Sequence, residues 1–243
     1  NKANVAKNLS SGLNFLLTDQ EDKAIEQLLQ LLDIEAATID TYLALANLFR
    51  RKGDWDKAIR IHEKLHQLKL PKVQAQQIQL ELAKDYFSAG LYDRAESLLR
   101  KLVDSDPLQE TALKQLFAIF VVTHDWHKAV EFAPQVDKTD SRSLRIALAN
   151  MRCEDQKKPM DVMALRILSQ KYPQAIRPRL QLARQLLAEQ SLADAAVAFK
   201  SVLTQKPQWA ADILPELQRC QLPEDEWYPL LSQLVHKNKN ITA

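Results

Sequence analysis

Apolar side chains along this chain recur three and four positions apart, and no segment alternates apolar with polar residues long enough to read as a strand. Leu, Ala, Gln, Lys and Glu dominate, and all favour helix. Glycine occurs only at Gly12, Gly53 and Gly90. The pattern predicts an all-α protein. Two stretches align directly. One runs from Tyr42 through Ala46 and Phe49 to Gly53, Trp55, Ala58 and His62. The other runs from Leu82 through Ala83 and Tyr86 to Gly90, Tyr92, Ala95 and Leu99. Each predicts a helix with a small residue and an aromatic, a turn with Gly and a second aromatic, then a helix with Ala and a bulky residue four positions on.

These stretches resemble the tetratricopeptide repeat, a helical hairpin with a period of about 34 residues. The period locates further copies through Ala24, Ala58, Ala95, Ala129, Ala164 and Ala195, spaced by 31 to 37 residues. A seventh, degenerate hairpin is expected over 208–236, with Trp227 at its turn. The expected architecture is an α-solenoid of about six to seven hairpins, some fourteen helices, forming one superhelix over 1–243. Its fifth hairpin, around 140–172, is irregular: the polar run Glu154–Met160, with Pro159, falls where a helix should end, and 137–141 reads as the preceding loop.

A lone hairpin of short amphipathic helices cannot bury its apolar face, so stacking on neighbours carries the stability. Ala58 and Ala95 are expected at close helix contacts, with Trp55, Tyr92 and Trp126 filling space beside the turns. Gly12 is expected at a helix contact, Gly53 and Gly90 at helix ends, where a left-handed backbone favours glycine. None remains for a phosphate-cradling loop. The first helix of each hairpin should line a concave wall. Counting faces outward from the core places Leu9, Leu13, Leu16 and Leu17 there in the first copy. Asn47, Arg50 and Arg51 follow in the second, Lys84 and Phe87 in the third, Lys114 in the fourth, and Arg177 and Arg184 in the sixth. This wall is the expected protein-binding surface.

Charge narrows the partners. The 33 Lys+Arg nearly balance 31 Asp+Glu, a net +2 that argues against nucleic acid, which calls for a clear basic excess. Cys153 and Cys220 stand apart, with no ligand-like spacing, which fits a reducing compartment. No apolar run reaches the ~18 residues of a membrane span, and no signal peptide is visible. The chain begins at Asn1, consistent with a trimmed piece of a longer protein.

Several residues invite catalytic readings. His62-Glu-Lys-Leu-His66 spells H-E-x-x-H, which on a helix sets two imidazoles on one face beside a carboxylate, as zinc proteases require. His62 nevertheless falls on the repeat's bulky packing position, and no third ligand is signalled. His124 and His127 flank the packing residue Trp126 in a polar turn. Both cysteines read as small core residues. The expectation is no catalytic residue, no metal and no cofactor in this chain.

A narrower resemblance rests on particular strings. Gly12–Leu17 with Asp22–Ile25, Asn47–Arg50 with Ala58–His62, and Asp85–Tyr86 with Ala89–Glu96 are similar to the lipopolysaccharide assembly protein B family. Weaker echoes occur at Trp126–Ala129, Arg145–Ala147, Cys153–Glu154 and Leu214–Leu217. The resemblance implies an adaptor that presents the deacetylase LpxC to the membrane protease FtsH, limiting lipopolysaccharide synthesis. It implies a non-enzymatic protein at the cytoplasmic face of the bacterial inner membrane, held by an N-terminal helix and ending in a rubredoxin-like metal knuckle. This chain carries neither the anchor nor the knuckle's Cys-x-x-Cys pairs, so the chain itself is expected to be soluble and metal-free. It is also about one helical turn short in the fifth hairpin. The competing expectation is a general tetratricopeptide co-chaperone or assembly scaffold, clamping terminal carboxylates through Asn47, Arg50, Lys84 and Lys114.

Overall fold

A computed structural model describes residues 39–223, together with Glu226, Pro229 and Ser232. It contains twelve α-helices and no strand among the described residues. They are α1 (Ile39–Lys52), α2 (Trp55–His66), α3 (Lys72–Ser88), α4 (Tyr92–Arg100), α5 (Gln109–Thr123), α6 (Trp126–Glu131), α7 (Ala133–Lys138), α8 (Arg142–Glu154), α9 (Val162–Lys171), α10 (Ile176–Ala188), α11 (Leu192–Gln205) and α12 (Ala210–Gln218), with a 3-10 turn at Pro207–Trp209 before α12. Two compact units divide the chain, one ending at Ile119 and the other beginning at Phe120, so that α5 runs across the division.

One backbone device closes four of the hairpins. A large buried residue sits near the end of the first helix: Phe49, Tyr86, Phe120 or Leu186. Four residues later the chain turns left-handed, at Gly53 (φ 86°), Gly90 (φ 76°), His124 (φ 57°) and Gln190 (φ 61°). The next amide then donates back to the carbonyl of the buried residue: Asp54 to Phe49 at 3.0 Å, Leu91 to Tyr86 at 2.8 Å, Asp125 to Phe120 at 3.0 Å and Ser191 to Leu186 at 2.9 Å. This satisfies carbonyls that a helix end would otherwise leave unpaired. The same next residue starts the second helix, and the amide four positions on bonds its carbonyl. That amide belongs to Ala58, Ala95, Ala129 and Ala195 in turn. All four alanines are fully buried.

In the first unit, α1 packs on α2, α2 on α3 and α3 on α4. Tyr42, Ala46, Phe49, Ala58, Ile61, Leu65 and Ile78 form one continuous core there. In the second unit, α8 packs against α6, α7 and α10, α9 against α10, and α11 against α10 and α12. Its main core joins Leu165, Leu182, Ala183 and Leu186 to Ala195, Phe199, Val202 and Leu217. Burial of this kind yields about 1.5–3 kcal/mol for each large apolar side chain.

The hairpin that departs from this scheme is the fifth. Helix α8 ends at Glu154 and has no left-handed residue after it; a loop runs from Asp155 to Asp161, as the polar run anticipated. Asp161 caps α9, its carboxylate accepting the Ala164 amide at 2.7 Å. That cap sets Ala164 in the first turn, half-buried, and the fully buried position falls on Leu165 instead. The register of the key alanine therefore does not extend to this copy. A second break was not expected. Pro134 near the start of α7 divides the second helix of the fourth hairpin into α6 and α7. Asp137 and Lys138 consequently belong to α7, and the loop shrinks to Thr139–Ser141. Trp55, expected to fill space, opens α2 and stays 43% exposed. Gly12, Ala24 and Trp227 lie outside the described residues.

The left-handed turn yields a paired prediction. Around Gly90 nothing lies within 4 Å of where a Cβ would stand, so Gly90→Ala meets only backbone strain and should cost about 1 kcal/mol. Gln190 already bears that strain, so Gln190→Gly should stabilise by about 0.5–1 kcal/mol, part of the relief being offset by the freer unfolded chain. Urea midpoints moving in opposite directions for the two variants are the expected result.

Candidate functional site

The first unit brings together a chain of charges from three helices. On α1, Arg50 donates through Nη1 to Asp85 Oδ1 at 2.8 Å and to the Glu81 carbonyl at 3.1 Å. Its Nη2 reaches Glu81 Oε2 at 2.6 Å and the Asn47 side-chain oxygen. On α2, His62 donates from Nδ1 to Asp85 Oδ2, and both side chains are fully buried. Lys84 on α3 closes the series on Glu81 Oε1 at 2.7 Å. Helical spacing produces this set: Glu81, Lys84 and Asp85 fall on one face of α3, as Asn47 and Arg50 do on α1. Burial pulls the Glu81 carboxyl upward, but hydrogen bonds from Lys84 and Arg50, with their positive charges, outweigh it and hold the group below its ordinary range. Beside the series, Tyr86 donates to Glu63 at 2.6 Å, and its phenol is pushed up by burial and by that carboxylate.

This arrangement changes the expected wall. Arg50 and Lys84 are engaged with carboxylates, and Asn47 accepts from Arg50. Phe87 is half-buried against Tyr92, ring centroids 5.7 Å apart. Arg51 is exposed. Lys114 pairs with Glu110 at 2.6 Å, one turn away on α5, at a surface where such pairs add little stability. Leu9, Leu13, Leu16 and Leu17 lie outside the described residues.

In the second unit, α8 and α10 border an open cleft of about 720 Å³. Arg177, at the start of α10, organises it. Its guanidinium stands 5.2 Å from the Trp209 ring centroid and pairs with Glu154 at 3.1 Å, while its amide donates to Asn150 Oδ1 at 3.0 Å. Val121, Trp126, Met151 and Trp209 supply the apolar lining, and Lys206 a further cation. Val121 is 47% exposed. A neighbouring cleft shares Glu154 and Arg177 and reaches Arg184, which binds Glu216 at 2.9–3.1 Å. Arg177 and Arg184 thus line one cleft. Trp209 and Met151 were missed: each reads as core by periodicity, and only the 3-10 turn at Pro207–Trp209 turns the indole toward Arg177.

The catalytic-looking residues are accounted for by packing. His62 is fully buried against Asp85, whereas His66 is exposed. His124 takes the left-handed turn and meets Trp126 edge-on at 5.4 Å. His127 lies 3.1 Å from Asp155. Burial, with Glu154 nearby, pushes the Cys153 thiol up to about 12, and burial also raises Cys220, the reverse of what a nucleophile needs. No set of three or more metal-ligating side chains occurs among the described residues, and none of the described helices is long and apolar enough to cross a membrane.

Comparison with known proteins gives consistent neighbours. The tetratricopeptide repeat family matches residues 41–72, the segment from α1 to the start of α3. Across its whole length the chain is 31% identical to lipopolysaccharide assembly protein B of Escherichia coli strain K12, covering 66% of that protein. It is 33% identical to lipopolysaccharide assembly protein B of Haemophilus influenzae over 234 residues, 89% of this chain and 58% of the relative. The chain therefore spans about two thirds of these relatives or less. Among solved structures, the crystal structure of MamA protein superposes with a TM-score of 0.51 at 21% identity, covering 73% of this chain and 96% of that one, which speaks to the fold alone.

The charge series makes its own prediction. Arg50→Ala leaves Asp85 buried with His62 but without its guanidinium, and should cost about 3 kcal/mol, at the lower end for breaking a buried pair. Glu81, with its lowered pKa, stabilises the fold above the ordinary glutamate range, and that contribution is lost as pH falls through the lowered value. The stability gap between the parent chain and Glu81→Gln should hold steady from about pH 7 to 5 and narrow toward about pH 3, read by denaturant titration at each pH.

Proposed function

The chain belongs to the lipopolysaccharide assembly protein B family, and on that premise we propose that it is a protein-binding adaptor in lipopolysaccharide assembly, presenting the deacetylase LpxC to the membrane protease FtsH. The intact protein acts at the cytoplasmic face of the inner membrane. The role is non-enzymatic. Its supporting observation is the α8–α10 cleft, where Arg177 lies over Trp209 beside exposed Val121. Arg and Trp are the side chains most enriched at interface hot spots, and an aromatic floor with a few oriented polar groups suits capture of a protein segment. Arg184 extends the same face. In the first unit, Arg51 and Lys114 are the cations of the expected wall left at the surface.

The rival reading, a clamp for C-terminal carboxylates, needs free cations. Glu81 and Asp85 already occupy Arg50, and Glu81 occupies Lys84, so an incoming carboxylate would have to displace two buried or half-buried ones. That exchange is unfavourable.

The test is capture of LpxC by the intact protein. Arg177→Ala with Arg184→Ala should weaken it by roughly 30-fold, the effect of losing about 2 kcal/mol at a hot spot. Both arginines make exposed ion pairs, so melting should move little. Val121→Asp should weaken capture as well. Unchanged capture in both variants would move the docking face off α8 and α10.

A further inference from the structure

Helix α8 borders a second cleft. Ala147, Asn150, Met151 and Glu154 face the cleft organised by Arg177. Arg145, Leu148, Ala149 and Arg152 line another, of about 320 Å³. At 3.6 residues per turn, these two sets lie on roughly opposite faces of the helix. The second cleft has a structural origin. Pro134 interrupts the fourth hairpin's second helix, so the short α7 stands beside α8, and Asp155–Asp161 carries the chain round to α9. Leu148 and Leu168 form a buried floor, with half-buried Met160 and Tyr172 beside them. Ile167 stands at the rim, 57% exposed, and Met163, one turn earlier on α9, is 67% exposed.

The rim is electrostatically one-sided. Arg145, Arg152 and Lys171 face a single carboxylate, Asp137, among the described residues lining it. One Arg145 donor is used by the Thr139 carbonyl, and its other donors remain. Lys171 sits 5.5 Å from the Tyr172 ring centroid. Neither Arg152 nor Lys171 has a carboxylate within ion-pair distance among the described residues, unlike Arg177 and Arg184 on the opposite side of α8. An apolar recess for one large side chain, ringed by three cations against one carboxylate, favours an occupant that is both apolar and anionic.

We propose that this cleft is a second docking site, for an acidic protein segment that inserts one bulky apolar side chain between α7 and α9 while its carboxylates meet Arg152 and Lys171. A concave cleft with a buried apolar floor favours an inserted side chain of a peptide over a flat anionic membrane surface. The proposal does not rest on the identity of the partner held at Arg177. It gives an adaptor two independently addressed sides of one helix.

The experiment uses the 243-residue chain and fluorescein-labelled twelve-residue peptides, read by anisotropy. One peptide is rich in Glu with a central Trp; a second replaces Glu by Lys; a third replaces Trp by Ser. The first should bind saturably and weaken with salt, and the other two should bind about tenfold more weakly or not at all. Arg152→Glu with Lys171→Glu should cost the first peptide about tenfold or more, and Ile167→Asp, a change at an exposed position, should weaken it too. The proposal is overturned by no saturable binding of the Glu-rich peptide, by equal binding of the Lys-rich one, or by undiminished binding in the charge-reversed chain. It is equally overturned if phosphatidylglycerol vesicles bind the parent chain, lose that binding on charge reversal and outcompete the peptide. Because the reading at Arg177 is tested by LpxC capture, failure of either leaves the other standing.

Discussion

The two helices of a hairpin can lie close only where a side chain ends at Cβ. Ala58, Ala95, Ala129 and Ala195 meet that condition, each nine residues after the buried Phe49, Tyr86, Phe120 or Leu186 whose carbonyl closes the turn. The alanine and the turn are therefore one device. The left-handed residue reverses the chain, its successor both caps the old helix and starts the new one, and the alanine arrives one turn later at the contact. A larger side chain there would force off-rotamer packing. Where the device is absent, after Glu154, the chain needs a seven-residue loop, and the surfaces around α8 open into clefts.

Polar burial adds a second layer in the first unit. Asp85 is withdrawn from water completely, which is tolerable only because Arg50 and His62 satisfy its carboxylate. The series ties α1, α2 and α3 together through directional contacts that apolar packing alone does not supply. It also reassigns Arg50, an apparent partner-binding cation, to holding the hairpins together. The second unit is built differently around its clefts: Arg177 and Arg184 pair with Glu154 and Glu216 at the surface, where exchange with a partner's groups costs little.

The hairpin period, the all-α class, the glycine turns at Gly53 and Gly90 and the burial of four of the key alanines were legible in the sequence, because each depends on local spacing. His124 and Gln190 were not legible as left-handed residues, since neither is glycine and only the carbonyl geometry requires the conformation. The break at Pro134 was available as a proline inside a helical pattern. Helical counting put Arg50 on the expected partner-binding wall. It did not reveal that Glu81 and Asp85, a hairpin away, converge on it, because pairing between elements depends on packing distances that one helix's pattern does not contain. The same counting singled out Arg177 but not Trp209, whose place in a 3-10 turn sets its ring 5.2 Å from the Arg177 guanidinium.

Two clefts on opposite faces of α8 make that helix the centre of the proposed docking surfaces. Hydrogen exchange of the chain with and without LpxC addresses this most directly, because it reports where a partner sits without altering any residue. Slowed exchange in α8 and α10, residues 142–188, with α1 to α4 unchanged, is the result this account predicts. Slowed exchange confined to α1–α4, with 142–188 unaffected, would contradict it.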